Sequence, residues 1–190
     1  YSDGRQNVSS GGSATGTMID NGGYQHIYSD GSATDTTVNS GGRQHVYVDG
    51  NITKTTITSG GMLQVEAGGS ASLVTQNSGG AVVTNTSAAL NGTNDKGNFS
   101  IAGGSAVNML LENGGSLSVL NGHQATDTTV NSNGLLHVSS GGSVTGTIVN
   151  NGGRENIYSD GSATSTTLNS GGVQAVSGGG VATSTLVNSG

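Results

Sequence analysis

The feature that most constrains this chain is an internal repeat of 19 residues. Gly-Gly pairs mark the repeat at 22–23, 41–42, 60–61, 79–80, 114–115, 152–153 and 171–172. A second series of turns, typified by Asp30-Gly31 and Asp49-Gly50, runs half a unit away. A flexible linker has no reason to keep such register. The period therefore favours a solenoid of stacked, equivalent units.

The composition excludes several classes of protein. Hydrophobic residues make up only 31% of the 190 residues, with 36 glycines and no proline or cysteine. Five Lys and Arg residues in a chain of net charge −6 are too few for a phosphate-binding surface, which argues against nucleic-acid binding. The absence of cysteine removes disulfides and thiolate metal sites. No apolar run is long enough to span a bilayer, so no membrane insertion by this segment is expected.

Each unit contains two short strand-like runs separated by turn residues. In the type unit 28–46, YSDGSATDTTVNSGGRQHV, the runs are Ala33–Val38 and Arg43–Val46. Gly, Asn, Asp and Ser form the turns between them. Stacking pairs each strand with its copy one unit away, which predicts an all-β, parallel β-helix of about nine to ten 19-residue coils. We expect residues 1–190 to form a single β-solenoid, an excerpt of a longer repeat array.

Side-chain alternation predicts the core. Two aliphatic ladders recur with the repeat: Ile19, Val38, Ile57, Leu111, Val130, Val149, Leu168 and Val187 form one, and Val8, Ile27, Val46, Val65, Val119, Val138, Ile157 and Val176 the other. The period of two in a strand places both threonines of pairs such as Thr34/Thr36 on the face of the first ladder. The variable residue between them, Asp35 in the type unit, is expected to point outward.

Residues 85–100 interrupt the repeat. They supply sixteen residues where nineteen belong, and the neighbouring unit has Gln76 at an aliphatic position. We expect an irregular coil or loop here. A functional alternative is a binding loop on a rigid scaffold.

No catalytic, cofactor-binding or metal-binding constellation emerges from the sequence. Asp30, Asp49 and Asp160 share one turn position, where Asp before Gly is explained by turn geometry. His26 and His45 would lie about one strand spacing apart, at a distance that a weak metal pair could use. A solvated surface ladder is the simpler interpretation. The chain is therefore predicted not to be an enzyme and to need no cofactor.

Serines recur at fixed turn positions beside glycine. They are small turn formers, and they are also suitable acceptors for O-glycosylation. The candidate acceptors are Ser10, Ser29, Ser40, Ser59, Ser78, Ser132, Ser140, Ser159, Ser170 and Ser189.

The unit A-T-x-T-T-V-N-S-G-G-x-Q-x-V, with its Y-S-D-G or S-S-G-G turn, resembles the passenger repeats of self-associating autotransporter adhesins of Gram-negative enteric bacteria. The resemblance covers the chain except residues 85–100 and implies a right-handed β-helix. It also implies display at the bacterial cell surface, tethered to the outer membrane through a C-terminal β-barrel absent from this sequence. The implied functions are host-cell adhesion, autoaggregation and biofilm formation.

The same resemblance implies three partners: a heptosyltransferase that adds heptose to Ser and Thr of the repeats, a host-cell receptor, and identical passengers. Charges such as Arg43, Lys54 and Arg154 against Asp35 and Asp127 could set the register between rods. Three alternatives stay open. They are a non-glycosylated self-associating β-helix, a carbohydrate-active solenoid, and an ice-binding solenoid that uses outward threonine columns.

Overall fold

The computed structural model describes residues 4–189, whose regular structure consists of strands joined by turns. Residues 1–3 and 190 of the predicted solenoid lie outside this range. The first sheet contains β1 (Arg5–Val8), β4 (Tyr24–Ile27), β6 (Arg43–Val46), β8 (Met62–Val65), β10 (Ala81–Asn85), β15 (Ser116–Val119), β18 (Leu135–Val138), β21 (Arg154–Ile157) and β24 (Val173–Val176). The second contains β2 (Ser13–Thr15), β3 (Met18–Ile19), β5 (Ser32–Val38), β7 (Asn51–Ile57), β9 (Ser70–Gln76), β11 (Ala89–Asn94), β12 (Gly97–Ala102), β13 (Ser105–Val107), β16 (Gln124–Thr126), β19 (Ser143–Thr145), β22 (Ser162–Thr164) and β25 (Val181–Thr183). The third contains β14 (Leu110–Leu111), β17 (Thr129–Val130), β20 (Ile148–Val149), β23 (Thr167–Leu168) and β26 (Leu186–Val187).

Strands pair in parallel with their copies one repeat away, which confirms the predicted β-solenoid. Gln25 pairs with Gln44 and Ile27 with Val46, both in the first sheet. The turns stack in the same register, since Gly41 N donates to Gly60 O at 2.9 Å. Within residues 4–189 no helix is long and apolar enough to cross a membrane.

Both predicted aliphatic ladders are confirmed as core. Val38 and Ile27 are fully buried, and equivalent residues continue each ladder along the rod. Burial decreases in the last described coil, which has a neighbouring coil on one side only: Val176 is 48% exposed and Val187 is 71% exposed. A coil therefore depends on both neighbours for its burial.

The expectation that both threonines of each pair face the core is wrong. Thr36 is 1% exposed, whereas Thr34 faces outward and Ala33 is buried in its place. The cause is Asp35, whose φ of 56° is left-handed and reverses the alternation of the strand at this corner. The equivalent corner residues, Lys54, Leu73, Asn108, Asp127, Ser165 and Ser184, share this conformation.

The core also contains a polar column that the two-ladder prediction missed. Gln25, Gln44 and Glu155 are fully buried at one inward position of the first sheet, which Leu63, Val82, Leu117 and Leu136 occupy in other coils. Gln44 Nε2 donates to Gln25 Oε1 at 2.7 Å. The inward threonine eleven residues later completes the arrangement, as Thr55 Oγ1 donates to Gln44 Oε1 at 2.9 Å. Amide and hydroxyl groups thus satisfy each other inside the rod.

The break at 85–100 contains regular strands instead of the expected irregular coil or loop. β11 and β12 form an antiparallel hairpin with Asp95 and Lys96 at its tip, and β12 then pairs antiparallel with β13. In the first sheet, β10 and β15 are direct neighbours. The hairpin therefore widens only the second sheet at this level.

Gln76 has a definite role beside the hairpin. It is 2% exposed, and its Nε2 donates to Gly80 O at 2.8 Å and to Leu110 O at 3.0 Å. An aliphatic side chain could not supply these hydrogen bonds. The amide therefore joins β9 to Leu110 at the start of the third sheet.

Candidate functional site

The outer face of the first sheet collects the arginines and most of the aromatic side chains of an otherwise small and polar chain. All three arginines, Arg5, Arg43 and Arg154, occupy one outward position of this sheet, which Tyr24 shares. The four described tyrosines lie on this face or begin the turn after it, as do three of the four histidines. The parallel register aligns these side chains in rows along the rod.

The rings form a stacked ladder over the first coils. The centroids of Tyr28 and Tyr47 lie 4.7 Å apart with their planes 11° from parallel. His45 stacks on Tyr47 at 3.9 Å, and His26 lies 6.0 Å from His45. Tyr28 and Tyr47 thus lie face to face across adjacent coils, whereas the planes of His26 and His45 are inclined by 49°.

Hydrogen bonds connect neighbouring rows of this face. The Tyr47 hydroxyl lies 3.3 Å from His26 Nδ1, and the Tyr158 hydroxyl lies 3.3 Å from His137 Nδ1. In both pairs the tyrosine follows the histidine by 21 residues. The sequence therefore contained a signal for this contact, because 21 residues are one repeat plus two positions. A tyrosine two positions after the histidine position of the next coil lies beside the histidine.

The electrostatics of the face disfavour protonated histidine. Burial, together with the neighbouring His45 and Arg5, lowers the pKa of His26. Burial and then Arg154 lower the pKa of His137. Burial, followed by Tyr28, raises the pKa of Tyr47, so its hydroxyl stays protonated at neutral pH.

The histidine row does not converge on a metal site. His45 Nε2 lies 2.9 Å from Glu66 Oε1, and His26 contacts Tyr47 instead. Among residues 4–189 no three His, Cys, Asp or Glu side chains are grouped so that they could hold a metal ion. This face can supply stacked rings, hydrogen bonds and positive charge for surface contacts.

The ten candidate acceptor serines all lie at exposed turn positions and follow the two edges of the first sheet. The edge before the sheet carries Ser40, Ser59, Ser78, Ser132, Ser170 and Ser189, and the edge after it carries Ser10, Ser29, Ser140 and Ser159. Within the described chain, Ser29 alone among the ten uses its hydroxyl in an internal hydrogen bond, to Asp30 at 3.5 Å. Whether these serines are modified stays a prediction.

The glycines beside these serines leave room for them. A Cβ placed on Gly60 would lie 2.6 Å from Ser40 Oγ in the preceding coil, and one on Gly79 would lie 2.5 Å from Ser59 Oγ. Both glycines also have positive φ angles. The first glycine of each of these Gly-Gly pairs is therefore constrained by backbone conformation and by the side chain stacked over it.

The outward threonine array that ice binding requires is not formed. Thr34 points outward but Thr36 points into the core, and the same split recurs at Thr53 and Thr55. A flat array of paired threonines on one face is impossible with this corner. The ice-binding alternative loses its structural basis.

Comparison with known proteins identifies relatives of this repeat. A family model described as "Adhesin of bacterial autotransporter system, probable stalk" (AIDA) matches residues 2–61 and 91–153. The autotransporter adhesin/invasin TibA of Escherichia coli O78:H11 is 79% identical over 38 residues, which cover 20% of this chain and 4% of that protein. The autotransporter CRAC of Citrobacter rodentium is 74% identical over 38 residues, covering 20% of this chain and 2% of that protein.

The chain is also similar to a solved structure, the crystal structure of a TibC-catalyzed hyper-glycosylated TibA fragment. The two are 37% identical, with a TM-score of 0.47, and the match covers 98% of this chain and 83% of that fragment. At this score the likeness adds no argument to the geometry described above.

Proposed function

The chain belongs to the AIDA family of bacterial autotransporter adhesin stalks, and from this premise we propose that it is a non-enzymatic segment of a surface-displayed passenger. The passenger mediates adhesion to host cells, autoaggregation and biofilm formation. The observation that carries the proposal is the outer face of the first sheet, where arginine and aromatic side chains recur at fixed repeat positions along the rod.

Self-association follows from repetition of weak contacts. Each coil offers the same backbone template every 19 residues, so two rods can meet along many coils at once. Individually weak hydrogen bonds and ring contacts then combine by multivalency. Lys54 Nζ already contacts Asp35 Oδ1 of its own rod at 2.6 Å. Arg43 and Arg154, like Arg5, have no ion pair within residues 4–189 and are available to a neighbouring rod.

Settling of bacteria that display the passenger tests the self-association. We expect the variant Arg43→Ser/Arg154→Ser to settle several-fold more slowly, because it removes the two cations while keeping a residue that Ser116 already shows at this position. The matched control is Thr53→Ser, which lies outward on the second sheet. Equal settling of both variants and the parent would show that Arg43 and Arg154 play no part in association.

We further propose that a heptosyltransferase modifies the exposed turn serines. Their hydroxyls protrude at turns, are free of internal acceptors in nine of the ten positions, and lie beside glycines without side chains. The sugars would then form two rows that border the first sheet.

Intact mass of the segment, produced with and without the heptosyltransferase, tests the modification. We expect heptose-sized increments that map to the turn serines, and the variant Ser40→Ala/Ser59→Ala/Ser78→Ala to lose up to three of them. The variant Ser143→Ala/Ser162→Ala, at strand positions, should lose none. An unmodified mass in both samples would support the non-glycosylated, self-associating alternative.

A further inference from the structure

A surface groove accompanies the hairpin that interrupts the repeat. Its volume is about 540 Å³, within the range of roughly 300–1,000 Å³ that is typical of small-molecule sites. It lies between β9 and the hairpin strands β11 and β12. Its lining residues are Leu73, Val74, Thr75, Asn91, Gly92, Thr93, Asn98, Phe99 and Ser100.

The groove exists because β11 departs from the repeat at one point. Between Leu90 and Gly92 the pairing with β9 shifts by one residue, and Gly92 lies opposite Phe99. A side chain on Gly92 would overlap the carbonyl oxygen of Val74 and lie 3.0 Å from the Phe99 ring. Glycine is therefore required here, where it makes room for the buried Phe99 ring.

One rim residue differs in character from its equivalents in other coils. Leu73 occupies the left-handed corner position, with a φ of 54°, and is 62% exposed. A left-handed conformation costs a leucine roughly 1–2 kcal/mol. Because the Leu73 side chain is mostly exposed, burial of apolar surface offsets little of this cost. The equivalent corners carry Gly, Asp, Lys, Asn or Ser. Among the described corner positions, the one beside the groove is thus the one that holds an apolar side chain in solvent.

The other rim groups are neutral hydrogen-bonding side chains. Asn91 uses its Oδ1 to accept from Leu73 N at 3.1 Å, and its side-chain NH₂ remains available. In the described chain, the hydroxyls of Thr75, Thr93 and Ser100 and the side-chain amide of Asn98 make no internal hydrogen bond. No ionisable side chain lines the groove.

The groove is also held in shape from outside. Asn108 Nδ2 donates to Asn98 O at 2.9 Å and to Lys96 O at 3.2 Å, and Asn94 Nδ2 donates to Asn108 O at 3.0 Å. These bonds fix the hairpin tip against the next coil. A pre-formed site loses less entropy when a ligand binds.

We propose that this groove binds a neutral oligosaccharide. Sugar hydroxyls match the amide and hydroxyl rim, the apolar face of a sugar ring matches the exposed Leu73 side chain, and the lack of ionisable groups disfavours acidic sugars and charged peptides. The biological role of this groove rests on the adhesive function proposed above. To that function it adds the chemical class of the receptor. Its binding chemistry does not require self-association of rods.

The test is binding of the purified 190-residue segment to an array of neutral and acidic oligosaccharides, followed by titration calorimetry of the neutral ligands retained. We expect neutral oligosaccharides to bind, and Leu73→Asn to weaken binding at least tenfold. Asparagine tolerates the left-handed corner, as Asn108 shows, so this variant should fold at least as well as the parent. Thr93→Val/Asn98→Ala should weaken binding similarly, whereas Ser165→Asn, at the equivalent corner of a regular coil, should not.

Retention of acidic oligosaccharides alone, or of none, would overturn the proposal. Neutral binding that all these variants leave unchanged would also overturn it, by placing the ligand elsewhere. Because settling of displayed passengers is measured separately, failure of the groove and failure of self-association give different results.

Discussion

The inward threonines at one repeat position should have opposite effects on the free energy of unfolding in different coils. Their buried hydroxyls stabilise the rod where they have a hydrogen-bond partner and destabilise it where they have none. Thr55 Oγ1 donates to Gln44 Oε1 at 2.9 Å, but eleven residues before Thr147 the chain has Leu136 instead of an amide. The Thr147 hydroxyl is buried without a partner. Since an unsatisfied buried polar group costs about 1–3 kcal/mol, Thr147→Val should stabilise the rod by about 1–2 kcal/mol. Thr55→Val should destabilise it by about 1–3 kcal/mol, because it removes a hydrogen bond and leaves the Gln44 carbonyl unpaired.

Urea and thermal unfolding of the two variants, followed by circular dichroism beside the parent, measure this difference. The two substitutions are identical in shape and occupy the same strand position, so side-chain volume and β-propensity cancel in the comparison. If Thr147→Val destabilises the rod as much as Thr55→Val, the Thr147 hydroxyl has a partner and the reasoning is refuted.

Three further substitutions test other parts of the structure. Glu155→Gln should raise the melting temperature by replacing a fully buried carboxylate, whose Oε1 has no partner, with a neutral amide that other coils already hold; a lower melting temperature would contradict this. Gly42→Ala should destabilise the rod by about 1–3 kcal/mol, because its Cβ would overlap a backbone carbonyl of the preceding coil. Gly178→Ala, which has open space around it, should be neutral in the same denaturation assay. Burial and Arg154 lower the pKa of His137 in the folded state. The stabilising contribution of His137 is therefore complete above about pH 6.5, the pKa of an unfolded histidine, and is lost as the pH falls through the lowered pKa. The variant His137→Asn should reduce the loss of melting temperature between pH 7 and pH 5.

The repeat period is sufficient to predict the solenoid, its turns and its two aliphatic ladders. In stacked coils, residues at the same repeat position have the same surroundings. The outward side of Thr34 could not be predicted, since the left-handed corner has no residue signature: Asp35, Lys54 and Leu73 all adopt it. The polar column was missed because Gln25 is polar, and only its partner one coil away makes burial possible.

The candidate surfaces were predictable in part. Turn chemistry was enough to place all ten serines at exposed edges, although it says nothing of their modification. The aromatic ladder could have been found from the recurrence of histidine and tyrosine at fixed repeat positions. The groove could not be found from the sequence, because it depends on the pairing of Gly92 with Phe99. The 19-residue period does not predict this pairing.

The direction of the hydrogen bonds between coils has a mechanical consequence. These bonds run along the axis of the rod, so a force that pulls its two ends apart loads one coil interface after another. Each released coil of 19 residues exchanges about 4.8 Å of rod for roughly 65 Å of extended chain. A rod built this way lengthens more than tenfold per released coil before it breaks, so it would yield in steps under a pulling force.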